Sequence, residues 1–279
     1  MSSLFKSNCL PEKSKKSLVL VGEIGGNEFN YGLAQGKTIE ELRKMVPDVV
    51  QTIIHGVKEV IGFGATRIII PGNFPIGCVP AMLTHFLTNN SNAYDEYHCL
   101  KDLNNFATFY NHHLQQAIDE LNKNYPNVTL IYGDYYNAFL WLLKNAASLG
   151  FDKNSLQKVC CGIGGEYNYD LIKVDAQKFQ ESGLKKCRFD RIYQFGDSLS
   201  DTGNCLRESL CGANSACRRL PYGMNVFKKA TGRSAESGLP LLNPYEDGKA
   251  NFSHGANFAV AGATALSAEF LAKSYVLHK

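Results

Sequence analysis

Apolar positions along this chain fall into two patterns. Short aliphatic or β-branched runs lead into Gly, Asn or Asp at residues 17–22, 67–71, 128–133, 191–196 and 257–262. Such runs predict buried strands that feed loops at one edge of a sheet. Between them the period changes. Leu42, Met45, Val46, Val49, Val50, Ile53, Val57, Val60 and Ile61 recur at three and four residues, which draws one apolar stripe down a helix. Thr38 is placed to cap that helix, with Glu40 and Glu41 in its first turn, and Pro47 predicts a kink near its start. Leu103, Phe106, Tyr110, Leu114, Ala117, Ile118 and Leu121 predict a second helix that ends before Pro126. Strands alternating with helices imply an α/β domain with a mostly parallel sheet covered on both faces.

Composition narrows the partners more than the fold. The 279 residues suit one mid-sized domain or two small ones, and 44% apolar with 20% charged residues is ordinary for a globular chain. A net charge of +3, spread along the sequence, is too weak a field to make nucleic acid or an acidic membrane the main partner. Neutral or modestly polar substrates are expected instead. No apolar run is long enough to span a bilayer, and Met1 to Leu10 lacks the apolar core of a leader, so a secreted location is not predicted from these residues. The nine cysteines include no CxxC pair, which argues against structural zinc, and no metal is expected. Some disulfides with at least one thiol left over is the expectation. Gly22 to Gly26 is not a dinucleotide fingerprint and no Walker motif occurs, so no nucleotide cofactor is expected.

From Cys187 onward the chain reads like the beginning of a protein, with a strand opening directly into a Gly/Ser/Asp loop. Residues 171–186 have weak periodicity and read as a junction. The block Phe195-Gly196-Asp197-Ser198-Leu199-Ser200-Asp201-Thr202-Gly203-Asn204 places Ser198 at a strand-to-helix corner, where a nucleophile can project beside backbone N–H groups. A bare Gly-Asp-Ser would equally be a helix-capping turn. The hydrolase elbow G-x-S-x-G is absent, because Ser200 stands where that motif has its second Gly.

The ten-residue block resembles the first conserved block of the plant GDSL esterases and lipases, of the SGNH hydrolase superfamily. Leu220 to Gly223, Ala230 to Arg233 and the stretch Asn251 to Thr264 are similar to the family's segments downstream of that block. Gly25-Gly26-Asn27-Glu28 resembles the family's G-x-N-D block, with Glu28 replacing Asp. Residues 71–80 resemble its Pro-Ile-Gly-Cys-x-Pro loop, and Cys160 to Tyr169 its late Cys-Cys-Gly and Tyr-Asn-Tyr stretch.

The resemblance implies a three-layer, flavodoxin-like fold and hydrolysis of carboxylic esters of small metabolites, lipids or polysaccharides. It implies Ser198 as nucleophile and Gly262 and Asn27 as oxyanion-hole donors, with Gly196 and Asp197 in support. It also exposes two departures. Family members run from the Ser block to the Gly block to the Asn block, whereas here the Asn block comes first. The chain thus reads as one domain built from 1–186, like the family's C-terminal part, and 187–279, like its N-terminal part, in permuted order and with pieces missing, such as the helix usual after Arg233. The family's Asp-x-x-His block should come after Tyr169, yet 171–186 holds no His. No general base is identified. Asp95 to His98 has the D-x-x-H spacing but sits in a loop-like context, and His55, His85, His112, His113, His254 and His278 match no catalytic position. Relatives are usually secreted, which leaves location open, as are oligomeric state and substrate. An ester hydrolase and a catalytically inactive relative from a rearranged or fused gene are equally compatible with the sequence.

Overall fold

The computed structural model describes residues 17–22, 24–159, 164–169, 191–198, 200–207 and 242–276. The Cys160-Cys161-Gly162 stretch, the junction at 171–186 and the similarities at 220–223 and 230–233 lie outside these residues. Among the described residues five strands form one sheet: β1 (Ser17–Val21), β2 (Arg67–Pro71), β3 (Thr129–Gly133), β4 (Arg191–Phe195) and β5 (Gly255–Asn257). Their order in space is β3-β2-β1-β4-β5, and every pairing is parallel. β4 lies in register along the whole of β1, from Ser17 opposite Arg191 to Val21 opposite Phe195. The two strands from the last third of the sequence therefore extend the sheet that the first three begin.

The two periodic helices form as their stripes predict. α1 (Asn27–Ala34) is short, while α2 (Ile39–Gly62) and α4 (Lys101–Asn124), on either side of the short α3 (Pro80–His85), pack against each other over the sheet. α2 starts in a capping box: the Glu41 N–H donates to Thr38 Oγ1, and the Glu41 carboxylate accepts from the Thr38 N–H. Each half satisfies one helix-end donor. The helix runs through Pro47 as one element. Leu42, Val46, Val49 and Val57 on α2 and Phe106, Tyr110 and Leu114 on α4 are fully buried. Each such aliphatic side chain contributes about 1.5–3 kcal/mol of burial. Phe29 of α1 sets its ring edge-on to Phe106 and Tyr110, which fixes α1 to the same core.

The fifth strand differs from expectation. It covers Gly255–Asn257 rather than 257–262. At its last residue, Asn257 Nδ2 donates to the Ser200 carbonyl (2.6 Å) while Oδ1 accepts from the Ala259 N–H (2.8 Å). Past Asn257 the backbone stays beside β4, with the Phe258 N–H donating to the Gln194 carbonyl (2.7 Å) and the Val260 N–H to the Gly196 carbonyl (3.2 Å). α5 (Tyr135–Asn145) comes after β3, and α6 (Ala268–Val276) after β5. A disulfide between Cys78 and Cys99 ties the loop after β2 to the start of α4. Among the described residues no helix is long and apolar enough to cross a membrane.

Candidate active site

Parallel strands deliver all their following loops to one edge, and in open α/β sheets ligands bind there. Here the carboxyl ends of β1, β4 and β5 are neighbours, so the loops carrying Asn27, Ser198 and Gly262 converge although they lie far apart in sequence. Gly196 permits the approach: a Cβ on it would stand 2.5 Å from the Gly22 carbonyl oxygen at the end of β1. Only glycine lets these two loops touch.

Ser198 is half-buried in the turn directly after β4. The described residues directly after it, 200–207, are turns and bends. Among them Asp201 is buried to 1% exposure. Its Oδ1 accepts the N–H groups of Gly203 (2.7 Å) and Asn204 (2.8 Å), and its Oδ2 those of Cys205 (3.1 Å) and Ala261 (2.9 Å). This carboxylate gathers four backbone donors and so holds the turns of the segment together. The Ala261 bond also ties the Ser198 loop to the residue before Gly262. Asn204 reinforces the tie, donating to the carbonyls of Asn257 (2.7 Å) and Ala259 (2.9 Å).

Asn27 opens α1 and reaches across the edge. Its Nδ2 donates to Asp197 Oδ2 (3.1 Å) and to the Ala263 carbonyl (2.8 Å). An amide nitrogen carries two hydrogens, and both have acceptors here. One side chain thus links the residue before Ser198 to the residue after Gly262. An oxyanion can take a hydrogen from Asn27 only by displacing one of these partners. Gly262 adopts φ +85°, a left-handed conformation that favours glycine.

Glu28, next in α1, is fully buried, and its Oε1 accepts the N–H groups of Ala265 and Leu266, the latter at 2.9 Å. Burial holds its carboxyl above the usual carboxylate range, against the lowering effect of those bonds. Tyr31 stands one turn beyond Asn27, 41% exposed, with its hydroxyl 3.4 Å from the Gly262 carbonyl. Burial first, then the charges of Asp197 and Glu28, push its phenol upward, so it remains a protonated donor at neutral pH. Sequence patterns alone single out neither Tyr31 nor this role of Glu28. An i, i+4 spacing from Asn27 is the only local signal that Tyr31 carries.

None of the described histidines stands beside Ser198 in a bonded contact. His254 precedes β5, and its carbonyl accepts the Ile192 N–H at the start of β4. It is therefore at the amino edge, roughly 15–20 Å along the strands from the Ser198 loop. His98 stacks on Tyr94 and faces Glu166 at 3.9 Å. Asp95 does not orient it. Asp95 Oδ1 caps the N–H groups of Tyr97 and Cys99 (both 2.9 Å), and its Oδ2 accepts from Asn104. The D-x-x-H spacing here is a loop cap. His55 lies on α2 beside Glu59, His85 ends α3, and His113 on α4 contacts the Phe109 carbonyl. His112 is its exposed neighbour, and His278 is outside the described residues. Among the described residues no group of three or more His, Cys, Asp or Glu is placed to hold a metal ion.

An all-parallel five-stranded sheet flanked by helices is consistent with the α/β fold of the SGNH hydrolases. The model of the GDSL-like lipase/acylhydrolase family matches residues 5–187, and the chain belongs to this family. The matched range includes Asn27, while Ser198 and Gly262 lie beyond it. A GDSL esterase/lipase of Arabidopsis thaliana is 49% identical over 164 residues, covering 59% of this chain and 49% of that protein. A second from the same plant is 43% identical over 215 residues, 77% of this chain and 51% of the relative. Acetylajmalan esterase 2 of Rauvolfia serpentina is 39% identical over 193 residues, 67% of this chain and 51% of the relative. The chain spans about half the length of the curated relatives it matches.

Proposed function

We propose that the protein is a serine hydrolase of carboxylic esters, with Ser198 as nucleophile and the N–H groups of Ser198 and Gly262 as the oxyanion hole, which Asn27 Nδ2 joins when substrate displaces one of its two present acceptors. The observation that carries this reading is the bridge from Asn27 to both Asp197 and Ala263, which brings the three blocks to one sheet edge. Attack of Ser198 Oγ on the ester carbonyl would expel the alcohol and leave an acyl-enzyme, which water then hydrolyses. The same bridge supports a single domain formed from 1–186 and 187–279. It also supports a permuted order of the family's blocks, because strand order in space does not depend on chain order. The named esterase among the relatives supports an ester of a small metabolite as substrate.

A second reading, an inactive relative left by gene rearrangement, is favoured by one specific observation: 171–186 contains no His to serve as base. Loss of one triad member leaves only about 10³–10⁴-fold catalysis over water. Hydrolysis of a short-chain chromogenic ester by the wild type and by Ser198→Ala separates the two. The hydrolase reading predicts turnover that the variant loses by at least about 100-fold. Equal background rates in two folded samples would establish the inactive relative.

A further inference from the structure

We propose that Tyr31 is a positioning residue that, by bonding the Gly262 carbonyl, restrains the backbone of Gly262, whose N–H lies in the preceding peptide and would face the oxyanion, an inference that rests on the hydrolase reading. Three side chains of α1 grip the segment after β5 at successive points. Tyr31 Oη reaches the Gly262 carbonyl, Asn27 Nδ2 the Ala263 carbonyl, and Glu28 Oε1 the N–H groups of Ala265 and Leu266. The last two contacts fix the far end of the segment. Of the three, Tyr31 alone acts on Gly262 itself, the residue whose own N–H would face the oxyanion.

Gly262 needs such a hold. Its φ of +85° is a conformation that glycine leaves easily, since glycine has more backbone freedom than any other residue. A Cβ at Gly262 would lie 3.2 Å from Tyr31 Oη, so the hydroxyl closes the space on that side of the peptide. The contact is long for a hydroxyl donor, at 3.4 Å, and its effect should be moderate. The phenol is charge-neutral and protonated at neutral pH, as a donor to a carbonyl must be. The residue is 41% exposed, which sets it at the rim of the site and not in the core. Removing its hydroxyl should therefore cost function without costing the fold.

The test compares wild type with Tyr31→Phe, and with Tyr31→Leu, which removes the ring as well. Two readouts are taken: kcat and KM on a short-chain chromogenic ester, and the ¹⁵N–¹H resonance of the Gly262 amide. Tyr31→Phe should lower kcat by about five- to tenfold with KM changed by less than about twofold, the signature of an interaction felt in the transition state. The Gly262 amide should shift, while thermal unfolding stays within about 2 °C of wild type. An unmoved Gly262 resonance, or a change in KM alone, overturns the proposal. The resonance keeps the two ideas apart. If wild type does not turn over and Gly262 still shifts in Tyr31→Phe, the hydrolase reading fails and the hold on Gly262 stands. If wild type turns over and Gly262 does not shift, the hydrolase reading stands and the hold fails.

Discussion

At the scale of single residues, the site is assembled by polar side chains that reach between distant segments. Glu28 shows what this requires. Its carboxylate accepts two backbone N–H groups in a fully buried position, and burial is the largest influence on its titration, raising it above the ordinary 4.5. A carboxyl whose native pKa is raised holds its proton more tightly when folded. Its contribution to stability is therefore fully present below the unfolded value and is lost as pH rises through the raised native value. In denaturant titrations, wild type should lose ground relative to Glu28→Gln as pH goes from about 4 to about 8. A difference between the two proteins that is flat across that range, or that grows in favour of wild type, contradicts this. In the sequence Glu28 stands out only as a departure from Asp. Its partners, Ala265 and Leu266, are more than 230 residues away, and no local pattern signals a bond of that span. Asn27, Ser198 and Gly262 are singled out in the sequence only through the family blocks around them; a lone Gly-Asn pair or Gly-Asp-Ser would read as a turn.

At the scale of elements, legibility tracks periodicity. α2 and α4 are 24 residues each with one apolar stripe, and spacing alone predicts both. α1 has eight residues with Gly32 inside, too few turns to show a period, and its Asn27 reads locally as a turn. α5 is hidden for the opposite reason. Phe139 to Leu143 is apolar without a break, and Trp141 is 59% exposed, so no single face stands out. The apolar run at 257–262 overlaps the fifth strand only at Asn257; beyond it the chain stays bonded to β4 through Phe258 and Val260 without regular strand structure, which apolar character does not report. The capping box at Thr38 offers a check at this scale. Thr38→Ala should cost about 1 kcal/mol. In a chain of this size that lowers the melting temperature by roughly 2–4 °C. An unchanged melting temperature would mean that the start of α2 is held by packing and not by its cap.

For the whole molecule, the consequential feature is that β1 stands between β2 and β4, strands drawn from distant parts of the sequence. If one sheet unites them, the amides of Ser17–Val21 and Arg191–Phe195 should exchange with solvent at similar slow rates, as parts of one cooperative unit. Fast exchange confined to Arg191–Phe195 would mean that β4 does not dock stably, and the convergence of Ser198 with Asn27 would fail with it. The α/β class and the chain order of its strands are readable from alternating patterns. Their spatial order is not, because it depends on pairings that join residues 17–21 to 191–195, distant segments that no local pattern connects. The central claim, that this edge arms Ser198, is tested most directly by treating the folded protein with a fluorophosphonate and mapping the adduct by peptide mass spectrometry. A single adduct on Ser198 is expected, with none in Ser198→Ala. An unmodified Ser198 in a folded sample, or an adduct on a different serine, would contradict it.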